Sequence, residues 1–370
     1  MANATIHAAW SPGEVRIAAI SDEAVADYAL WRPGSPDGVG DVYRGRITSA
    51  VPGMAGAFVA LSSDLPDGFL PDSAGAEGLT EGTIVTVRIT RATQGGKGPR
   101  LTAIAAGIED GPPGLRRRGL DPVREFAARY PSAEILADDP ALVAALRADL
   151  GQRVTRVAAA FDDRIETELE SLAAPEVTVG SGMRLSVHPT PALVAIDIDA
   201  GGALTGREGS VSRHRVLNAA ILPELARQIR LRNLSGAILV DFAGLKVRQR
   251  NAIGPALAAA LASDPLRPRF LGFTALGLAE IRRPRVRPPL HELLAGPLAS
   301  GLAALRAIAR SIQTEPGRRL ALRAAPAVIA ALEADKVALA DLARIVGQRL
   351  NSRSDPSLTG DGWCIEAVHG

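Results

Sequence analysis

Two short apolar segments that each run into aspartate, with a helical pattern between them, place the strongest limit on how this chain can fold. Residues 193–199 read LVAIDID and residues 237–242 read AILVDF, which is the composition of buried strands. Between them, apolar residues recur at helical spacing over 213–234, and Gly236 follows as a helix stop. The succession predicts an α/β layer with Asp197 and Asp241 at the carboxyl ends of its strands, where such sheets place their sites.

The two aspartates point to a divalent cation, because many hydrolases hold magnesium with carboxylates at the ends of adjacent strands. The alternative is that both residues merely terminate strands. The chain has one cysteine, Cys364, which excludes an internal disulfide framework and a thiolate zinc cluster built from one chain. Any metal ligands are therefore oxygen atoms or imidazoles.

The length of 370 residues, with 47% hydrophobic and 22% charged, suits two or three compact units. The chain holds no run of about eighteen uncharged apolar residues. Residues 1–10 show neither the cationic nor the apolar part of a signal peptide. These features predict a cytoplasmic protein with no membrane partner.

Charge is unevenly distributed along the chain. Residues 1–90 hold five arginines against eleven acidic residues, whereas residues 201–320 hold eighteen arginines and Lys246 against seven acidic residues. Such a basic segment suits a surface that contacts phosphates, since arginine binds them bidentately. The alternative is that arginine is simply the default surface cation, because only three of the 42 basic residues are lysine.

Turn and strand signals divide the rest of the chain. Residues 1–37 predict a hairpin that ends at a turn-rich boundary, and five glycine-punctuated segments between 42 and 102 predict a small closed barrel of the oligonucleotide-binding type. Helices are predicted at 121–129 and 139–150, followed by a strand pair. The tail predicts helices at 298–312 and 325–350 and a terminal strand.

Several motifs occur in a characteristic order. The first group is DVYRGRI at 41–47, PGMAGAFV at 52–59 and GFLP at 68–71. The second is AIDID at 195–199, Asn218, RQIRLRNLSG at 227–236, VDF at 240–242 and GLAEIRR at 277–283. Together they make the chain resemble the ribonuclease E/G family, the first group matching its S1 RNA-binding domain and the second its catalytic region.

The resemblance implies an α/β fold class, in the form of a multidomain protein that combines helices and strands (α+β). Residues 1–37 would begin an RNase H-like subdomain, and an S1/OB-type β-barrel at 38–104 would be inserted in it. Residues 105–190 would hold a reduced linker or 5′-sensor region and the rest of the RNase H-like subdomain. A DNase I-like α/β catalytic subdomain would follow at 191–290, and a small C-terminal α/β subdomain at 297–370.

By the same resemblance, Asp197 and Asp241 match the two aspartates that hold the catalytic magnesium, for which manganese could substitute. Asp199 stands where the family has an asparagine that orients the first aspartate. An asparagine donates a hydrogen bond, whereas an aspartate adds charge that repels its neighbour unless a cation lies between them. We therefore include Asp199 among the catalytic candidates, either as a ligand or as a sign of altered activity.

Six residues are candidates for RNA contact. Phe58 and Phe69 match aromatic positions that stack on bases in the family, although either could instead belong to the barrel core. The remaining four are basic: Lys97 and Arg100 in a glycine-rich segment, and Arg283 and Arg285 after the last strand of the catalytic region. A solvated cationic face would explain the last two equally well. His188 and His214 flank the site in sequence, and a structural role is expected for both.

Two parts of the family pattern have no counterpart. The paired cysteines that let two subunits share zinc should follow Arg287 but do not, so a homodimer would not be linked by structural zinc. The arginine-threonine signature of the 5′-monophosphate sensor is also missing. The sequence thus favours a magnesium-dependent endoribonuclease that cleaves single-stranded RNA and leaves 5′-phosphate and 3′-hydroxyl ends. The alternatives are an RNA-binding regulatory homologue with weak or lost catalysis, and a nuclease that acts on DNA.

Overall fold

The structure is a computed structural model that describes residues 4–104, 111–199, 210–242, 244–245, 247–315, 317–347 and 349–367, with the side chains in these ranges except those of residues 181, 210–215 and 247–249. The chain divides into two compact units. The sheet unit comprises Met1–Gly34, Phe126–Pro284 and Pro289–Gly370, and the barrel unit comprises Ser35–Glu125 and Arg285–Pro288. Helices and strands both contribute, which confirms the predicted mixed α/β class.

The secondary structure alternates short strands with helices of moderate length. The strands are β1 Thr5–Ser11, β2 Glu14–Ser21, β3 Ala24–Trp31, β4 Val42–Val51, β5 Gly56–Ala60, β6 Gly68–Pro71, β7 Ile84–Arg91, β8 Arg100–Ala103, β9 Gly114–Arg117, β10 Glu134–Ala137, β11 Val154–Arg156, β12 Glu176–Val179, β13 Met183–Pro189, β14 Val194–Asp199, β15 Gly236–Asp241, β16 Arg269–Phe273, β17 Ala279–Arg283, β18 Leu320–Ala324, β19 Asn351–Ser354 and β20 Trp363–Ala367. The helices are α1 Pro122–Arg129, α2 Pro140–Leu150, α3 Asp163–Ser171, α4 Ser210–Leu231, α5 Val247–Leu261, α6 Leu290–Leu293, α7 Gly296–Thr314, α8 Pro326–Ala334 and α9 Lys336–Val346. Among the helices in the described ranges, none has the length and apolar content needed to cross a bilayer.

A six-stranded sheet in the order β12-β13-β14-β15-β17-β16 carries the predicted aspartates. Only β14 and β15 run parallel in the described part of this sheet, with α4 between them in sequence. Alternate residues of the strands, such as Ile196, Ile198, Ile238 and Val240, are buried in one cluster with apolar residues of α4 and α5. Because side chains alternate across a strand, the residues between them lie on the opposite face, where they are exposed or half-buried. The sequence pattern therefore sets one apolar face and one polar face.

The N-terminal strands belong to a second sheet of the sheet unit, in the order β11-β10-β1-β2-β3. The pairs β1–β2 and β2–β3 are antiparallel, while β1–β10 and β10–β11 are parallel. The predicted N-terminal hairpin is thus part of a three-strand meander. Strands β10 and β11 come from far along the chain, and α2 connects them.

Helix α2 begins as the sequence predicts. The Asp139 carboxylate accepts hydrogen bonds from the backbone N–H groups of Ala141 at 3.0 Å and Leu142 at 2.9 Å, which satisfies two amides that have no partner within the helix. Pro140 occupies the first turn, where its missing N–H costs nothing. The cap and the proline together explain the start of the helix.

The C-terminal part differs from the sequence-based prediction of one helix at 325–350. Helix α8 ends at Ala334 and α9 begins at Lys336, because Asp335 leaves the helical conformation with a ψ of 83°. Its carboxylate accepts a hydrogen bond from the N–H of Ala338 at 3.0 Å and so caps α9. These helices and α7 share a buried apolar cluster with β18 of a three-stranded sheet, β19-β18-β20.

The barrel unit contains the closed barrel that the sequence predicts. Strands β5, β6, β8, β7 and β4 follow one another in the sheet, and pairing of β4 with β5 closes it, while β9 extends from β4. Its buried core includes Val59, Leu70, Val87 and Leu101. Residues 285–288 belong to this unit, because the N–H of Ala92 donates to the Val286 carbonyl at 2.8 Å.

Candidate functional site

Asp197 and Asp241 lie side by side on the polar face of the six-stranded sheet. They are Cα partners across the parallel pair β14–β15. Neighbouring strands lie about 4.8 Å apart, and paired residues point to the same face. Both residues are exposed, with the Asp241 side chain 53% accessible. Two carboxylates from segments more than forty residues apart thus converge at the carboxyl ends of adjacent strands.

Asp199 lies on the same face but is already paired. It is two residues beyond Asp197, and its Cα partner on β13 is Arg184. The Arg184 guanidinium donates from Nη2 to Asp199 Oδ2 at 2.6 Å. The hydrogen bond from Arg184 to Asp199, and then the charge of that carboxylate, raise the pKa of Arg184. The positively charged guanidinium of Arg184 therefore faces Asp199.

Arg250 is a site residue that the sequence analysis missed. Its Nη2 lies 3.9 Å from Asp241 Oδ1. The guanidinium is held by backbone carbonyls, with Nε donating to Leu245 at 2.7 Å and Nη1 donating to Leu276 at 3.2 Å and to Gly277. Residue 277 has a φ of +85°, which favours glycine, and a Cβ there would come within 1.7 Å of Arg250 Nη1. In the sequence, the glycine of the GLAE motif could indicate a close contact at residue 277, but it does not identify Arg250 as the residue in contact.

The barrel aromatics form a pair outside the buried core. Phe58 and Phe69 are Cα partners across β5–β6, with ring centroids 5.6 Å apart in an edge-to-face arrangement. Both rings are half-buried, and neither belongs to the barrel's buried cluster. The Arg100 guanidinium carbon lies 5.9 Å from the Phe69 ring centroid. Lys97 is exposed in the turn that Gln94 closes by backbone hydrogen bonds.

Arg283 has a structural position, which corrects its assignment to RNA binding. Its side chain is only 4% exposed and its Nε donates to Asp264 Oδ2 at 2.7 Å. Its Nη1 donates to Asn233 Oδ1 at 2.7 Å and to the Leu234 carbonyl at 3.1 Å. These contacts tie β17 to the segments that follow α4 and α5. Arg285, two residues later, is exposed in the barrel unit.

Among the remaining sequence candidates, those whose side chains the structure describes do not join the two aspartates. His188 is exposed on β13 opposite Ala195, and the side chain of His214 lies outside the described residues. The arginines of α4 have structural contacts: Arg227 pairs with Glu168 and Glu224, and Arg232 donates to three partners in a buried position. In the described part of the chain, no group of three or more acidic, histidine or cysteine side chains is arranged to hold a metal. The candidate centre is thus the pair Asp197 and Asp241.

Comparison with known proteins points to the same region of the chain. The model of the Ribonuclease E/G family matches residues 138–286, which include both strands that carry the aspartates. Ribonuclease G of Escherichia coli strain K12 is 28% identical over 207 residues, covering 52% of this chain and 42% of the relative. Ribonuclease E of Nostoc sp. strain PCC 7120 is 34% identical over 133 residues, covering 35% of this chain and 19% of the relative.

The chain therefore spans less than half the length of these curated relatives. Ribonuclease E of Escherichia coli strain K12 is similar over a region of the same size, with 35% identity over 130 residues. The family match includes the motifs at 195–199 and 240–242, and the similar proteins are ribonucleases E and G. Residues 138–286 of this chain therefore belong to the ribonuclease E/G family.

Proposed function

We propose that this chain is an endoribonuclease that cleaves single-stranded RNA with a magnesium ion held by Asp197 and Asp241. The observation that carries the proposal is the register of β14 and β15, which puts the two exposed carboxylates on one face at adjacent positions. A cation near the reacting phosphate can accelerate hydrolysis of a phosphodiester, and carboxylate oxygens are the ligands magnesium prefers.

The donor set fits magnesium better than other metals. Magnesium keeps several waters and is usually held by one or two carboxylates together with substrate phosphates, so two aspartates suffice. Manganese accepts the same oxygen ligands and should substitute. Zinc prefers histidine and cysteine ligands, and Asp197 and Asp241 provide neither. When bound, the cation would polarise the phosphoryl oxygen and lower the pKa of a bound water.

The surrounding side chains prepare the site for an anionic substrate. Arg184 neutralises Asp199 at 2.6 Å, so the polar face carries less negative charge where a phosphate must approach. The Arg250 guanidinium is oriented by three backbone carbonyls beside Asp241 and can bind a phosphate oxygen without first being ordered. Arg250 is the residue we expect to orient the RNA backbone.

The subdomain assignments are part of this proposal. The closed order β4-β5-β6-β8-β7 supports an S1/OB-type barrel, and the edge-to-face pair of Phe58 and Phe69 offers a surface on which bases can stack. The order β3-β2-β1-β10-β11 supports an RNase H-like subdomain. The two-layer arrangement around β14 and β15 supports a DNase I-like catalytic subdomain. Product ends with 5′-phosphate and 3′-hydroxyl, a cytoplasmic location and a homodimer not linked by zinc remain predictions from the sequence.

Cleavage of an unstructured AU-rich RNA, labelled at its 5′ end, tests the proposal. Wild-type protein should cut it with magnesium and not with EDTA, while Asp197→Asn and Asp241→Asn should each abolish cleavage and leave RNA affinity within about twofold. Asp163→Asn is the matched control, because it removes an exposed carboxylate of α3 and should cut like wild type. Equal cleavage by wild type and the Asp197→Asn/Asp241→Asn double variant would refute the assignment.

One observation favours a second candidate function, an RNA-binding regulatory homologue. The ion pair of Asp199 with Arg184 occupies the position next to Asp197, and such a pair could make the cation site weak. The same assay separates the two functions: a regulator would bind the RNA with wild-type affinity but leave it intact at every magnesium concentration. DNA of the same sequence, added as a further substrate, tests whether the sugar matters.

A further inference from the structure

Three arginines converge at one end of the barrel. Arg91 and Arg100 are Cα partners across the antiparallel pair β7–β8. Arg285 comes from a distant segment. Ala92 and Val286, which follow Arg91 and Arg285, are joined by a hydrogen bond from the Ala92 N–H to the Val286 carbonyl at 2.8 Å. The chain thus brings together arginines that are almost two hundred positions apart.

The segment that carries Arg285 is firmly attached to the barrel unit. Arg287, in the same segment, donates from Nε to Asp37 Oδ2 at 2.6 Å and forms a two-pronged ion pair with Glu125 at 2.6 Å and 2.8 Å. Two alternate arginines of one short run therefore have opposite roles. Arg287 is tied to acidic residues, while Arg285 is left exposed.

No acidic residue in the described ranges forms an ion pair with these three arginines. In the described part of the chain, neither Arg91 nor Arg100 nor Arg285 forms an ion pair, whereas Arg118 in the same unit pairs with Asp41. Burial, and then the positive charges of Arg100 and Arg285, lower the pKa of Arg91. Like charges held together without a counter-charge repel each other, and a bound anion would relieve the repulsion.

The neighbouring aromatic pair indicates which anion fits. Arg100 lies 5.9 Å from the Phe69 ring, and Phe69 is paired with Phe58. Aromatic rings beside clustered arginines suit a single-stranded nucleic acid, whose bases stack while its phosphates bind the guanidinium groups. Acidic peptides and lipid headgroups offer the charge but no bases to stack.

We propose that Arg91, Arg100 and Arg285 form one phosphate-binding site of the barrel, which holds the backbone of the RNA strand whose bases stack on Phe58 and Phe69. This inference rests on the proposed function, in that it takes RNA as the ligand. Beyond that function, we infer that the segment after β17 belongs to the RNA-binding surface of the barrel. Arg91 binds phosphate together with Arg285 of this segment.

Fluorescence anisotropy of a fluorescein-labelled uridine dodecamer, measured on the full chain in EDTA at 50, 100 and 200 mM KCl, tests the site. Each phosphate contact with a single strand contributes about 0.7 to the slope of log affinity against log salt. Arg285→Ala should weaken binding several-fold at 50 mM and reduce the slope by about 0.7, and the Arg91→Ala/Arg100→Ala/Arg285→Ala variant should reduce it by about 2. Arg285→Lys should retain most of the slope.

The matched control is Arg117→Ala, which removes an exposed arginine of β9, a strand that lies next to β4 rather than β7 or β8. It should change the slope by less than the measurement error. An adenosine dodecamer should show the same loss with Arg285→Ala, because a phosphate contact does not read the base.

Unchanged affinity and slope for Arg285→Ala, together with weakened binding for Phe69→Ala, would overturn the arginine site while leaving the aromatic pair as an RNA contact. Binding of labelled polyglutamate with the same affinity and the same dependence on Arg285 would overturn the assignment to RNA. Because the assay contains EDTA and reads no cleavage, failure of magnesium-dependent hydrolysis is a separate result that refutes the proposed catalysis alone.

Discussion

The buried ion pair between Arg283 and Asp264 gives a quantitative prediction about an arginine that the sequence places among RNA-binding candidates. The two side chains are only 4% and 2% exposed, and Arg283 also donates to Asn233 and Leu234. Arg283→Met would leave the Asp264 carboxylate buried without its cation. Removing one partner of a buried pair costs about 3–5 kcal/mol, so the free energy of unfolding should fall by that amount.

Urea unfolding followed by circular dichroism measures this loss. With a slope of about 3 kcal/mol per molar urea, the midpoint of the transition should fall by about 1–1.7 M. Arg282→Met is the matched control: it removes the adjacent, exposed arginine and should change the free energy of unfolding by about 0.5 kcal/mol or less. Adding Asp264→Leu to Arg283→Met should restore most of the stability, because the uncompensated buried charge is then gone.

RNA affinity gives the second readout. Arg283→Met, measured at low temperature where the variant is folded, should bind the uridine dodecamer as wild type does, in contrast to Arg285→Ala. An unchanged urea midpoint combined with weaker RNA binding would refute the structural role of Arg283.

Two other predictions concern exposed and half-buried ion pairs. Arg184→Gln should release Asp199 as a third carboxylate beside Asp197 and raise the affinity for manganese several-fold, as measured by calorimetry. Arg184→Lys, the control, should stay close to wild type. Equal affinity for all three proteins would show that Asp199 does not face the cation. Burial opposes ionisation of Glu166, but the hydrogen bond and charge of Arg16 outweigh it and lower the pKa of Glu166 below its ordinary 4.5. The pair should therefore stabilise the fold fully above pH 4.5 and lose this effect as the pH falls through the lowered pKa, so wild type and Glu166→Gln should differ in melting temperature at pH 7 and converge near pH 3.

The family match and the tertiary contacts concern different parts of the chain. The family model covers residues 138–286, so it includes Asp197, Asp199 and Asp241 but not the barrel residues Phe58 and Phe69. The proposal that the barrel binds RNA therefore depends on its closed topology and its aromatic pair. RNA binding therefore tests the barrel, and cleavage tests the aspartates.

Local sequence determined the elements that carry the site. The alternating apolar residues of 193–199 and 237–242 predicted β14 and β15, and the helical spacing between them predicted α4, because strand and helix periodicities are properties of neighbouring residues. The same patterns predicted the five barrel strands. They did not reveal the end of α8, because the apolar period continues across Asp335 and the break depends on the capping geometry of that residue.

Only the tertiary structure decided which side chains meet. Arg283 and Arg285 belong to the same basic run, RRPRVR, and nothing local separates them. Arg283 is buried because β17 pairs with β15 and turns it toward Asp264, whereas Arg285 is exposed on the barrel unit beside Arg91. The pairing of Asp199 with Arg184 and the approach of Arg250 to Asp241 likewise depend on strand register and on backbone contacts between distant segments. Sequence periodicity specifies the face of an element, but contacts across the fold determine whether a charge on that face is buried, neutralised or left free to bind RNA.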